Sequence, residues 1–350
     1  MTKPKVDHLY AHIPFCKSIC TYCDFVRFVS SQSCMDKYVD GLVEQFHKQY
    51  SHCVFKTIYI GGGTPNHLSA RALNKLLSVL SMHLAKDYEF TIECNPELLS
   101  LEQAKIFKAN KVNRASIGVQ TVNNTILSKF HRQHALKDVK TAIANLRKVG
   151  INNISCDFIY GFNELDDSDI DDAIKFIKTY HIPHVSWYAL EVKEQTIIGK
   201  QGYKLNEDLI DHQLALVIKR MHGIKYKRYE VSNWSVSVKY ESEHNKAYWL
   251  SKPWGALGLG ASGFNIKSMY VCTGTINKYT TQVTPLSIRD YYFQIMMMGL
   301  RLSQGLNLSI PRFRQAYKYF KDKLKHVHIK NNYLCADNIN LLDNILLELM

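Results

Sequence analysis

No apolar run in these 350 residues is long enough to span a bilayer, and the opening stretch MTKPKVDHLY lacks the apolar core of a secretory signal. Both absences lead to the expectation of a cytoplasmic protein without a transmembrane segment. Proline is scarce, at eight residues, and no Pro-rich linker, low-complexity stretch or internal repeat interrupts the chain. Acidic residues are outnumbered, 31 Asp+Glu against 44 Lys+Arg, which gives a formal net charge of +13. The excess is scattered, with neither a Lys/Arg block nor an RNA-binding signature, so a generally basic surface is preferred to a nucleic-acid site. The remaining composition, 46% hydrophobic, is that of a globular chain long enough for one large domain and a smaller one.

Cysteine is well represented, at nine residues. In a reducing compartment these are ligands or small core residues before they are disulfides. Cys16, Cys20 and Cys23 stand apart in the segment YAHIPFCKSICTYCDF, spaced C-x3-C-x2-C. Three thiolates on one loop can hold three irons of a [4Fe-4S] cluster and leave the fourth iron open to a small molecule. A zinc site wants a fourth ligand, and His12, in a strand upstream, is poorly placed to supply it. A disulfide would leave an odd thiol. Cys34, Cys53, Cys94, Cys156, Cys272 and Cys335 match no metal spacing and read as structural.

Strand-like runs at 8–13, 57–60, 89–94, 114–119, 154–159 and 184–190 alternate with helical patterns. The helical stretches are 35–46, 70–84, 102–110, 136–149, 169–180 and 208–222, with Gly150 at a C-cap. Six β–α units predict an α/β fold, a partial (β/α)6 barrel whose strand C-terminal ends share one mouth. The cysteine loop, Gly61–Pro65, Glu93, Gln120 and Asp157 would converge there. The rhythm changes near 225, and three domains are expected: the barrel at 1–224, a β-rich extension at 225–285 and a small, mostly helical domain at 286–350.

GGGTP follows the strand TIYI, where glycines let the backbone approach a ligand closely, although alone it is only a tight turn. Glu93 could accept ribose hydroxyls or be a solvated loop carboxylate. In HNKAYW, the His244 imidazole could ligate haem iron with Tyr248 and Trp249 packing the porphyrin, or could be a satisfied structural histidine.

The cysteine spacing and GGGTP together resemble the radical S-adenosylmethionine (AdoMet) superfamily, in which AdoMet binds the open iron and is cleaved to a 5′-deoxyadenosyl radical. YAHIPFC, CDF, GGGTP, ECNPE, SIGVQT, RQH, DFIYG, YEVSNW, HNKAYW and GLGASGF, spanning 10–264, occur in the order found in its anaerobic coproporphyrinogen III oxidase-like family. The resemblance implies a [4Fe-4S] cluster on Cys16, Cys20 and Cys23. It implies AdoMet contacts at Tyr10, Tyr22, Gly62, Gly63, Thr64, Glu93, Gln120, Arg132 and Asp157. The oxidase branch carries a further cysteine where this chain has Phe25, and an N-terminal extension before its barrel. Both departures, and the HNxxYW match, point to the haem-chaperone branch. That implies binding haem, with His244 as a ligand, and passing it to an acceptor protein, with a flavodoxin or ferredoxin as reductant. Enzymatic activity is left open. The rival functions are coproporphyrinogen III decarboxylation, RNA modification by radical AdoMet chemistry, and a catalytically silent scaffold. Two further departures are noted: the family's YGLPG turn is Tyr160-Gly161-Phe162-Asn163-Glu164, and Lys193 replaces a glutamate.

Overall fold

The computed structural model describes residues 5–350. Six strands run parallel in chain order: β1 (His8–Ile13), β2 (Phe55–Gly62), β3 (Leu84–Cys94), β4 (Arg114–Gln120), β5 (Asn153–Tyr160) and β6 (His184–Ala189). Parallel neighbours need crossovers, and helices supply them: α1 (Gln32–Gln49), α2 (Ala70–Ser81), α3 (Leu101–Ala109), α4 (Asn124–Lys129), α5 (Leu136–Lys148) and α6 (Asp167–Thr179). After β6 come α7 (Ile197–Lys200) and α8 (Glu207–Gly223). Side chains of Ser31, Ser69, Ser100, Asn123, Asp166 and Asn206 cap helix N-termini. Gly150, at φ +80°, ends α5 in the backbone region that glycine favours.

The strands alternate with a period of two. On one face Leu9, Ala11, Ile58, Ile60, Phe90, Ile92, Ala115, Ile117, Ile154, Cys156, Phe158, Val185 and Trp187 are buried in the main core, together with the apolar stripes of the helices. The other face carries His8, Tyr10, His12, Thr57, Tyr59, Glu89, Thr91, Glu93, Arg114, Ser116, Ser155, Asp157, His184 and Ser186. Parallel strands covered on both sides by helices read as apolar throughout. A polar second face therefore marks a lined interior, not a second helical layer.

The sheet does not close. The chain continues through β7 (Lys227–Arg228), β8 (Asn233–Ser235), α9 (Glu243–Trp249) and β9 (Gly255–Leu257). The full order is β7-β8-β6-β5-β4-β3-β2-β1-β9, with β9 parallel to β1 and β8 antiparallel to β6. These short strands, from the stretch after 225, thus finish both edges of the sheet. β7 and β8 pair antiparallel because the chain reverses between 228 and 233.

An antiparallel sheet of β10 (Ser262–Asn265), β11 (Ser268–Thr275) and β12 (Lys278–Pro285) follows. The last segment holds α10 (Ile288–Gly299), β13 (Leu306–Asn307), α11 (Pro311–Phe320), β14 (Val327–Lys330), β15 (Tyr333–Ala336) and α12 (Leu342–Leu347). It has its own apolar cluster around Ile295, Leu300, Leu306, Phe313, Phe320, Leu334 and Ile345. Helices predominate there, but the small sheet β13-β15-β14 was not expected. Among the described residues no helix is long and apolar enough to cross a membrane.

Candidate functional site

Cys16, Cys20 and Cys23 lie on the connection from β1 to α1. Its ends are tied together, with Cys16 N donating to Phe28 O at 3.0 Å and Phe28 N to Pro14 O at 2.6 Å. Its middle is held from outside: Thr21 N donates to Phe130 O at 3.4 Å, and Ile198 N donates to Thr21 O at 3.0 Å. Cys16, Cys20 and Cys23 are free thiols, not joined to one another in a disulfide. Burial pushes the Cys16 thiol up, while the Thr64 hydroxyl, donating to its sulfur at 3.5 Å, works the other way. Burial also pushes the Cys23 thiol up. Among the described residues no three His, Cys, Asp or Glu side chains stand as a ready set of metal ligands, but Cys16 and Cys20 are both near enough to Cys23 to act on its charge, so the three thiols are neighbours on the loop.

Arg132 fastens this loop to the sheet. Its guanidinium donates to Cys20 Sγ at 3.4 Å, Asn95 Oδ1 at 3.2 Å and Gly118 O at 3.1 Å. Burial opposes its charge, but Tyr22 and Cys20 keep its pKa above the ordinary arginine value. Tyr22 meets Phe130 and Phe162 edge-on at 6.2 and 6.0 Å, and its buried hydroxyl has no hydrogen-bond partner. Phe162, one of the departures from the family pattern, is fully buried and packs 4.4 Å from Phe130, so it supports the cysteine loop from below. Lys193 pairs with Glu191 at 2.6 Å on the surface.

His12 joins the loop to the strands. Its Nε2 lies 2.9 Å from Val26 O, which can only accept, so Nε2 carries the proton and Nδ1 accepts from Tyr10 Oη at 2.9 Å. Both nitrogens are thereby committed, and His12 has none to offer zinc. Burial holds its pKa below the ordinary histidine value. Gly62 sits against this ring at φ +116°, and a Cβ there would lie 2.6 Å from His12 Cε1. Gly63 is as tight, since its Cβ would stand 2.8 Å from Phe15 O.

Glu93 ends β3 beneath the glycine turn. Its carboxylate accepts from Tyr59 Oη at 2.8 Å and from Gly62 N at 3.1 Å. Burial pushes its pKa up to about 7 against those two bonds. Tyr10 stacks on Tyr59 at 6.1 Å. Asp157 accepts from Ser116, Ser155 and Ser186 at 2.8, 3.0 and 2.7 Å, and burial still raises its pKa. Gln120 takes φ +66° where the register of β4 on β5 shifts, an uncommon backbone for a residue other than glycine. The structure thus gathers Tyr10, Gly62 and Glu93 about Tyr59, and Cys20, Arg132 and Gln120 about Gly118, with Asp157 one strand further on. A cavity of about 500 Å³, lined by Lys17, Glu97, Arg132, Gln133, His134 and Lys137, opens beside them.

At the opposite end of the interior, α9 carries the HNKAYW segment. Glu89 receives the backbone N–H groups of Glu243 and His244, both at 3.0 Å. The His244 ring stacks on Tyr59 at 5.2 Å, with Nδ1 on Thr57 Oγ1 and Nε2 on Tyr248 Oη, both at 2.7 Å. It is buried, and burial drives its pKa well below the ordinary value. The expectation of His244 as a haem ligand is not met by this geometry, because neither nitrogen is free and the ring is buried. His244 instead plugs the floor of the interior.

The sequence reading missed that floor and the serine cage of Asp157. His8, Thr57, Glu89, Arg114, Ser155 and His184 all belong to the polar face, joined by bonds such as Ser155 Oγ to His184 Nδ1 at 2.8 Å. The available signal was the polar residue at every second position of six strands.

Three thiols on one tethered loop, a turn where two Cβ atoms would collide, and a buried unpaired Tyr22 hydroxyl are features that suit a bound cluster and its ligand.

Comparison with known proteins is consistent with that fit. Residues 10–177 match the Radical SAM superfamily. The chain is 33% identical to the heme chaperone HemW of Lactococcus lactis subsp. lactis, covering 91% of this chain and 87% of that one. It is 31% identical to the heme chaperone HemW of Bacillus subtilis, over 88% and 86% of the two chains. The solved structure of coproporphyrinogen III oxidase (HemN) from Escherichia coli superposes with a TM-score of 0.82 over 99% of this chain and 90% of that one, at 18% identity, a likeness of fold. Identity above 30% along most of both chains relates whole proteins, not a shared motif, and it makes this chain a member of the HemW family within the radical SAM superfamily.

Proposed function

We propose that this protein binds haem and passes it to an acceptor protein. The observation that carries the reading is its similarity, over nearly the whole chain, to proteins named heme chaperones. Phe25, 65% exposed where the oxidase branch carries a further cysteine, supports the same side of the family.

Membership in the radical SAM superfamily implies a [4Fe-4S] cluster and AdoMet. In our reading Cys16, Cys20 and Cys23 hold the cluster, and Thr64 and Arg132 tune it by donating to Cys16 and Cys20. Tyr10, Tyr22, Gly62, Gly63, Thr64, Glu93, Gln120, Arg132 and Asp157 are assigned to AdoMet: aromatics for the adenine, the glycine turn for the amino group, polar groups for ribose and carboxylate. When bound, a reduced cluster supplies the electron that cleaves AdoMet. The chain's own residues keep the loop in place, shield it with Phe130 and Phe162, and present acceptors from the strands. A flavodoxin or ferredoxin is the reductant class we assign. We also take 1–224, 225–285 and 286–350 as the working domain division, and the cytoplasm as the site of action.

The test is anaerobic reconstitution followed by haem titration with and without AdoMet, transfer to an apo-haem protein, and a coproporphyrinogen III assay. Haem binding and transfer without protoporphyrinogen formation are expected. Multiple-turnover protoporphyrinogen production would overturn the carrier reading.

A further inference from the structure

Past Tyr188, the interior runs on from the AdoMet-assigned residues to a second group of polar side chains. Tyr188 is 43% exposed and stands among the charges of Asp157, Glu230 and Glu93, between the two groups. Beyond it, an isolated bridge between Glu230 and Leu302 and the bond from Ser303 N to Tyr229 O at 3.0 Å bring the β7–β8 turn against the end of α10. Arg301 emerges there. Its guanidinium lies 4.7 Å from the centroid of the Trp249 ring. Among the described residues its side chain has no hydrogen bond or ion pair, and its buried Nε is unpartnered.

The neighbours are equally unspent. Trp249 Nε1, a donor only, is buried without an acceptor. Glu230 is 1% exposed; one oxygen takes Ser232 N at 2.9 Å and the other has no partner, although Arg301 is near enough to act on its charge. Asn233, 2% exposed, leaves its carbonyl oxygen unpaired. Leaving one such group unmade is costly, and several in one place call for a ligand.

The chemistry of the donors defines that ligand. A guanidinium fork matches a carboxylate in two parallel bonds, and stacking on an indole fixes its plane in advance. The Trp249 N–H adds a third donor, and the indole face beside it suits a flat apolar body. We infer that Trp249 and Arg301 form a carboxylate-binding subsite for a planar, conjugated ligand. Resting on the proposed function, that ligand is haem and the group bound is one of its propionates. Burial pushes the Glu230 carboxyl up, while the nearby Arg301 works the other way.

The full-length reconstituted protein titrated with haem and with haem dimethyl ester tests this. Wild type should prefer the free acid by roughly tenfold or more, the loss of a charge-assisted bond. In R301Q the preference should fall to within about twofold. W249F, which keeps a ring but removes the N–H, should lose part of it, and it carries the test if R301Q fails to fold by circular dichroism. Equal affinity of wild type for acid and ester, or an undiminished preference in folded variants, overturns the subsite and leaves haem binding standing. Wild type that binds neither compound overturns the proposed function and the subsite with it.

Discussion

Tyr59 and Glu93, on neighbouring strands, share a 2.8 Å hydrogen bond that keeps a carboxylate beneath the glycine turn in a setting where burial raises its pKa to about 7. The folded chain therefore holds a proton between pH 4.5 and about 7 that the unfolded chain has released. Stability must fall as pH rises through that window, by about 1.4 kcal/mol for each pH unit crossed. Glu93→Gln abolishes this dependence. In ligand-free protein, melting temperatures of variant and wild type measured from pH 5 to 8 should diverge in the variant's favour, whatever their offset at pH 5. Parallel curves would contradict the raised pKa.

The second prediction concerns the cysteines. Cys16→Ala, Cys20→Ala and Cys23→Ala should each lose most of the brown chromophore and the bound iron after reconstitution. Cys34→Ala and Cys335→Ala, outside the loop, should match wild type. Full iron content in all three loop variants would remove the cluster assignment.

Much of the frame was legible because six strands put an apolar residue at every second position, and Leu9, Ile58, Phe90, Ile117, Cys156 and Val185 all fall in the core. Helix 70–84 ended early, at Ser81, because Leu84 already opens β3. The β11–β12 hairpin escaped notice because β12 is exposed along nearly its whole length, so no burial imposes alternation on its sequence. HNKAYW showed which relatives share the segment, but a motif match says nothing of burial. Only the bonds from His244 to Thr57 and Tyr248 reveal that its nitrogens are spent.

From those bonds comes a third prediction. His244→Ala strips the partner from the buried Tyr248 hydroxyl, leaves Thr57 only its bond to His8, and opens a void under Tyr59. An unpaired buried hydroxyl costs about 1–3 kcal/mol and the void adds to it, so the unfolding free energy should fall by roughly 2–5 kcal/mol in urea titrations. Iron content of the folded fraction should match wild type, since the cysteine loop is held by other residues. A variant as stable as wild type would free the imidazole for another role.

Gly62 makes the last prediction, and it tests how the glycine turn and the cysteine loop depend on each other. At φ +116° an alanine is strained whatever space surrounds it, at a cost of about 1–3 kcal/mol. Space is also lacking, since the new Cβ would stand 2.6 Å from His12 Cε1 and 2.7 Å from Nδ1. The ring must swing away, and in doing so it releases both Tyr10 and Val26 O. Val26 lies only three residues beyond Cys23, so that stretch of the loop loses its anchor to β1 while Cys16 stays pinned by Phe28. Gly62→Ala should therefore lower the melting temperature and take up iron to well under half the wild-type level, although no cysteine has changed. Gly41→Ala, with nothing within 4 Å of the added Cβ, is the matched control and should do neither. Wild-type iron content in a folded Gly62→Ala protein would show that the cysteine loop holds its shape without His12.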